Sequence, residues 1–486
     1  MISTAPGLVS NAPNRSPKLA MRKLAIYVAA WTLPLLLGAA NLQAQGLKVP
    51  NPRAFGLDLP PGIVSHDLAG SVEVRDEEGN QVVGRIHVAI GSNMVIELPD
   101  GTLVTRGVTE ARRTDAPFKA IDKKELAKRM EKKFPGFQTR TSRHYVFVYN
   151  TSDEFAEVTM RILESMIPGM QKHAKAQRID VHEPDVPLVA IMFATEAEYK
   201  AFSELPDGIV AFYDTLANHV VMYERPTDPP LKQDLYLKQA ISTIAHEGAH
   251  QILHNIGVQQ RLSRWPMWIS EGIAEYYAPT DFGTRMKWKG AGDINDMRMF
   301  ELESYIKGKD AEQADGVMVE QTVKAARLTS TGYASAWGLT HYLASQRRSD
   351  FNQLMRELSE IKPMEGSVNV TTGGIIPSNQ EDFSKHFGTD LSEIEKGMIQ
   401  HLKSQQYSHP FAEFAHFAAT VRIVTGGKAF GTANVFHSQE LASQWQTQQV
   451  KKLPPEQQAG AQREIRLFPN RGAAERFASQ WLRTVQ

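Results

Sequence analysis

The chain has 486 residues, 42% hydrophobic and 22% charged, a globular composition long enough for two or three domains of about 150 residues each. Lys+Arg and Asp+Glu both number 54, so there is no basic excess to mark a nucleic-acid binder and no acidic excess to mark a disordered chain. Cysteine is absent, which excludes disulfides, thiolate metal ligands, a cysteine nucleophile and a lipidated N-terminal cysteine.

At the N-terminus, "MRKLAIYVAAWTLPLLLGAANLQAQG" sets Arg22 and Lys23 before an apolar run from Leu24 to Gly38, followed by small residues. Leu42-Gln43-Ala44 fits the loose cleavage rule, and the run is shorter than the about 20 residues a membrane span needs. Residues 1–44 are expected to be an N-terminal extension and a cleaved signal peptide starting at Met21. The mature protein is expected to be exported, periplasmic or extracellular, with no membrane span after cleavage.

Residues 46–118 read as a small β-rich unit, because alternating runs such as "SVEVR", "QVVGRIHVAI" and "NMVIEL" are punctuated by "DEEGN" and "LPDGT". Next, "DKKELAKRMEKKF" (Asp122 to Phe134) is a charged amphipathic helix with a solvated lysine face. Residues 119–405 form the main domain. It begins with strand "HYVFVY", helix "SDEFAEVTMRILESM" and buried strand "VPLVAIMF", and "GIVAFYD" with "NHVVMYE" reads as a hairpin. Helical patterns dominate after "PPLKQDLY", so sheet precedes helices in an α+β arrangement. Residues 407–486 read as a C-terminal α+β module, in which "TVRIV" and "EIRLF" are strands, each followed by a helix carrying "ASQW". The two copies lie 36 residues apart and are joined by "KKLPPEQQAGAQ", the pattern of a small duplicated β-α unit.

The chemistry concentrates in "LKQAISTIAHEGAHQILHNIG". Ile241, Ile244, Ala245, Ala249, Ile252, Leu253 and Ile256 recur at helical spacing, and Gly257 stops the helix. Positions i and i+4 differ by about 40° around a helix, so His246 and His250 project side by side and are able to share one cation. Glu247 is turned about 100° from His246, away from the cation but within reach of a water bound to it. The alternative is an ordinary helix that holds three histidines.

The next segment, "RWPMWISEGIAEYY", decides between them. A catalytic zinc commonly takes His₂Glu and leaves a position open for water. Glu271 follows His250 by 21 residues, enough for a loop and entry into a second helix that starts near Trp268 or Ser270. Glu275, one turn beyond Glu271, falls on the same face and is placed to accept from the free N–H of a ligand histidine, fixing its tautomer. A metzincin needs a third histidine where this chain has Ile256, so that class is excluded. His254 reads as a cleft-lining or packed histidine rather than a ligand.

"AHEGAHQILHN" followed by "WPMWISEGIAEYY" resembles the gluzincin clan of zinc peptidases, the thermolysin-like, peptidase MA-like group. Within it, the chain resembles an exported bacterial family with a peptidase-like domain of unknown function. Supporting stretches are "LPDGTLVTRGV", "TSRHYVFVYNTSDEFAE", "VAIMFATEAEYKAF", "YASAWGLTHYL" and "HFGTDLSEIEKGMIQHL". The resemblance implies one zinc ion held by His246, His250 and Glu271, Glu247 as general base, a peptide or protein substrate, and a thermolysin-like fold with a mixed sheet beside an active-site helix. Tyr333, in "GYASAWGLTHYL", sits at a distance resembling the catalytic tyrosine of some gluzincins, with His341 as runner-up. No G-x-M-E-N element is present, so an exopeptidase is not implied. "NHVVMYE" is the expected cleft-edge strand by its place before the helix. The competing reading is a catalytically silent zinc-binding or peptide-binding envelope protein on a peptidase fold; an intact Glu247 argues against it.

Overall fold

The computed structural model describes residues 51–68, 70–203, 205, 209–225, 233–281, 286–308, 311–367 and 378–485. The expected signal peptide lies outside the described residues. Among those residues, no helix is long and apolar enough to cross a membrane.

An antiparallel sheet comes first: β1 (Val64–Ser65), β2 (Ser71–Arg75), β3 (Gln81–Ile90), β4 (Asn93–Glu97), β5 (Leu103–Gly107) and β6 (Arg112–Thr114). Its order is β5-β4-β3-β2-β6, with β1 on β3. The "DEEGN" turn closes because Asp76 Oδ1 accepts the Glu78 and Asn80 N–H groups. This sheet docks firmly on the main domain. Arg261 Nη1 donates to Gly101 O (2.6 Å) while its Nε donates to Thr215 O (2.9 Å). Leu262 and Met364 share one apolar cluster with Val88, Ile90 and Val95.

The main domain opens with α1 (Lys123–Lys133), β7 (Gln138–Thr141), β8 (Tyr145–Tyr149), α2 (Asp153–Ala176), β9 (Leu188–Thr195), α3 (Glu196–Phe202), β10 (Ala211–Asp214) and β11 (His219–Arg225). The five strands form one mixed sheet in the order β10-β11-β9-β8-β7, with β8, β9 and β11 parallel and both edge strands antiparallel. Alternation along the buried strands splits the apolar side chains between two layers. Val146, Val148, Val189 and Ile191 pack with Leu126 and Met130 of α1, whereas Phe147, Tyr149, Ala190 and Met192 pack with α2 and α4 (Gln233–Asn255). The expected hairpin is present as β10–β11. The expected cleft-edge strand is corrected, however: "NHVVMYE" is internal, between β10 and β9, and β10 is the edge. Chain order puts β11 next to the helix, but its parallel pairing with β9 takes it inside the sheet.

Helices follow: α5 (Met267–Tyr277), then, after the two-residue strands β12 (Thr280–Asp281) and β13 (Lys287–Trp288), α6 (Asp296–Gly308), α7 (Val317–Lys324), α8 (Ser330–Gln346), α9 (Arg348–Ser359), α10 (Ser378–Phe387) and α11 (Leu391–Lys403). The C-terminal module consists of β14 (His416–Thr425), β15 (Lys428–Phe436), α12 (Gln439–Lys451), α13 (Pro455–Gln458), β16 (Gln462–Phe468) and α14 (Arg471–Val485). Its antiparallel sheet runs β15-β14-β16. The expected duplicated β-α unit is corrected here: β15 intervenes between "TVRIV" and the first "ASQW" helix, so the two halves differ in topology.

Candidate metal centre

Two helices bring the motif residues together. The apolar positions of α4 from Ile241 to Leu253, and Ile256 just beyond it, are almost wholly inaccessible, so the helix is set in the core and its polar residues point where packing sends them. In each motif a glycine follows the glutamate, and in each case close packing requires it. A Cβ on Gly248 would lie 2.3 Å from Leu163 of α2, and one on Gly272 would lie 2.2 Å from Thr340 Oγ1 of α8. Both motif helices are thus held against a neighbour at a distance that only glycine permits.

The result is a compact triad. His246 Nε2 lies 3.1 Å from Glu271 Oε2, His250 Nε2 lies 3.4 Å from that same oxygen, and the two Nε2 atoms are 3.3 Å apart. A tetrahedral zinc with bonds of about 2.0–2.1 Å separates its ligand atoms by roughly 3.3–3.4 Å. His246, His250 and Glu271 therefore form a group able to hold a metal ion, at the spacing zinc requires.

Behind the triad, Glu275 Oε1 approaches His246 Nδ1 to 3.1 Å, a close ion-pair contact that lies off the N–H direction. Glu275 is itself gripped: Arg298 Nη2 donates to Oε1 at 2.6 Å and Asn295 Nδ2 to Oε2 at 2.8 Å. Arg298 also bonds Glu301 through Nη1 (2.8 Å), and its guanidinium lies 5.5 Å from the centroid of the Tyr333 ring. Asn295 and Arg298 are the site residues that sequence reasoning missed. Arg298 arrives on α6 and Asn295 just before it, far beyond the motif, and only the Arg298–Glu301 helical spacing hints at an ion pair.

Charge is concentrated here. Burial alone would raise the Glu271 and Glu275 carboxyls, yet His250 and His246 around the first, and Arg298 and His246 around the second, hold both well below the usual carboxylate range. Burial would likewise lower the His246 imidazole, but Glu275 and Glu271 reverse it and favour a cation there. With Glu247 ionised, three buried carboxylates face one guanidinium. With neutral imidazoles, and with Arg298 shared by Glu301, the group keeps a net negative charge that a divalent cation offsets.

Glu247 is oriented by the sheet edge: the Tyr213 N–H of β10 donates to its Oε2 at 2.9 Å. Burial raises its carboxyl above the ordinary value, against the pull of His246 and His250. The Tyr333 ring sits 6.0 Å from that of His246. The nearby Glu271 charge, with burial second, pushes the Tyr333 phenol up, so its hydroxyl keeps its proton. His254 stacks on Tyr213 and stands outside the triad, with burial lowering its pKa to about 3.

His341 belongs elsewhere. It lies in a relay whose partners fix both tautomers: Gln346 Nε2 donates to His401 Nδ1 (3.4 Å), His401 Nε2 to His341 Nδ1 (2.8 Å), and His341 Nε2 to Gly292 O (3.1 Å). Burial, and then the neighbouring His401, lower the His341 pKa to about 4, so both rings stay neutral.

Two cavities, of about 410 and about 210 Å³, adjoin at His246, Glu247 and Tyr333, which line both; the larger also takes in His250 and Glu271. The first runs along β10 past Phe212 and Tyr213 toward Trp265, and the second reaches Ala211, Thr243 and Arg298.

A family model described as a protein of unknown function (DUF1570) matches residues 240–365. That stretch covers α4 from Ala240 onward, all of α5, the three triad residues, Glu275, Arg298 and Tyr333. No curated protein matches the chain.

Proposed function

We propose that this protein is an exported, zinc-dependent metallopeptidase of thermolysin-like type. The observation that carries the reading is the triad of ligand atoms at 3.1–3.4 Å separations, with Glu247 directly beside it. His246, His250 and Glu271 hold the ion. When bound, zinc supplies an acidified water and polarises a carbonyl oxygen.

The chain's own groups supply the rest. Glu247, raised by burial and aligned by the Tyr213 N–H, takes the proton of the attacking water and delivers it to the leaving amine. Tyr333, its phenol protonated, donates to the oxygen on which charge develops. Glu275, backed by Arg298 and Asn295, orients His246. The two adjoining cavities, which share His246, Glu247 and Tyr333, give an extended polypeptide room beside the triad.

The test is zinc stoichiometry together with cleavage of an unbiased peptide library, for the wild type and Glu247→Gln. One zinc per chain in both, with cleavage by the wild type alone, supports the reading. Zinc in both with cleavage by neither supports a silent zinc-binding protein instead, and absence of zinc or equal cleavage sinks the proposal.

A further inference from the structure

The C-terminal module borders a cavity of about 970 Å³, larger than either part of the metal-centre cleft and at the upper end of small-molecule sites. Its walls are faces of the three helices α6, α12 and α14, a strand end of β15, and His409 and His416. α12 turns Leu441, Gln444, Trp445 and Gln448 toward it, and α14 turns Glu475, Ala478, Ser479 and Leu482, both at the three- and four-residue spacing of one helix face. Both "ASQW" copies therefore line one cavity: the first contributes Gln444 and Trp445, the second Ala478 and Ser479.

The chemistry of these walls is selective. Each charged group is committed within the protein: Arg471 bonds Glu303 (3.0 Å) and Glu475 (2.6 Å), and Glu301 bonds Arg298 (2.8 Å). The lining's one guanidinium is shared by two carboxylates, so an anionic ligand meets no free cation. What remains is aromatic and neutral. Phe436 and Trp445 lie with ring centroids 5.6 Å apart, flanked by Asn434, Gln444, Gln448 and Ser479.

His416 adds a directed acceptor. It lines the cavity, is only 2% exposed, and donates from Nδ1 to Phe414 O at 2.8 Å. Its Nε2 therefore presents a lone pair for which the described residues provide no donor. A purely apolar ligand would leave that nitrogen and the amides unpaired. The open edge of β15 is poorly suited to an added polypeptide strand, because the Val435 N–H is already bonded to Asn434 Oδ1 (2.9 Å).

We infer that the C-terminal module binds a neutral oligosaccharide in this cavity. A pyranose ring has C–H faces, which lie on the negative face of an aromatic ring, and a rim of hydroxyls that both donate and accept. Trp445 and Phe436 take the faces. His416 Nε2 accepts from a hydroxyl, and the Gln444 and Gln448 amides bond others.

The experiment is isothermal titration of the full chain, metal-free and zinc-loaded, with N-acetylchitotetraose and with maltotetraose. At least one of them binds, equally with and without zinc, and Trp445→Ala weakens that binding about tenfold. Preference for the N-acetylated probe identifies an amino-sugar glycan as the source; equal binding identifies a general neutral-saccharide site. Gln448→Ala, an exposed change that leaves the core intact, is the second variant and weakens binding about threefold. No heat from either sugar at millimolar concentration, or binding unaltered in folded Trp445→Ala and Gln448→Ala, overturns the inference. So does displacement of the sugar by a neutral oligopeptide bound at the same face.

Discussion

Helix α6 puts Arg298 in the metal centre and, within its next turn, Phe300 and Glu301 in the wall of the C-terminal cavity, so two sites of different chemistry share one element. At the metal centre, buried carboxylates outnumber the guanidinium. Their oxygens converge on imidazoles, so the site is able to hold a cation. In the C-terminal cavity each carboxylate is already bonded to a guanidinium, Arg471 holding two of them, and the unmatched groups are neutral amides, aromatic rings and one imidazole nitrogen. Carboxylates alone are therefore a poor guide to what a site takes; the balance left after internal pairing decides it.

That contrast can be broken at several points. The largest effect is expected from the triad. Glu271→Ala should abolish stoichiometric zinc, read by metal analysis, whereas Glu247→Gln should keep the zinc and lose about 10²- to 10⁴-fold in peptide hydrolysis. Next comes Arg298→Met, which removes the cation gripping Glu275. A competition titration with a chelator should show zinc held about 10- to 100-fold more weakly, while circular dichroism stays native. Unchanged affinity would reduce Arg298 to a structural ion pair.

Smaller effects separate packing from charge. Gly272→Ala drives a methyl against Thr340 Oγ1 and should cost about 1–3 kcal/mol in denaturant unfolding, with zinc binding also impaired because α5 must shift. The His341–His401 relay should make stability acid-sensitive. The folded pKa of His341 is about 4 and the unfolded value about 6.5, so the unfolded chain takes up the proton first as pH falls. Stability should then drop with a limiting slope of about 1.4 kcal/mol per pH unit between those values, and His341→Gln should flatten it. The smallest expected change is the sharpest control: Trp445→Ala should leave zinc affinity within about twofold, since every interaction of the triad lies outside the C-terminal cavity.

The sequence was most legible where function depends on one helix or two. Periodicity put His246 and His250 on one face of α4, and the same arithmetic put Glu271 and Glu275 on one face of α5, because i and i+4 are neighbours whatever the tertiary context. The central strands were readable for a similar reason, as continuous apolar runs. What escaped depends on contacts between distant segments. Arg298 reaches Glu275 only because α6 packs across α8, and no spacing rule connects the two. Sheet order misled as well: β10 is four residues long and partly polar, yet pairing makes it the edge that aligns Glu247. β15 was missed despite an available signal, since Gly426 and Gly427, at φ 60° and 79°, form the two-residue hairpin turn that such a pair announces.

The buried Arg261 has a consequence for how the molecule is made. Its guanidinium joins Gly101 of the N-terminal sheet to the loop after β10, yet Gly101 is synthesised 160 residues earlier. At about 5–20 residues per second, the ribosome leaves that sheet waiting roughly 10–30 s for the side chain that fastens it. During that interval the apolar surface later covered by Leu262 and Met364 is open, so the first sheet to emerge is secured only once the middle of the chain has been made.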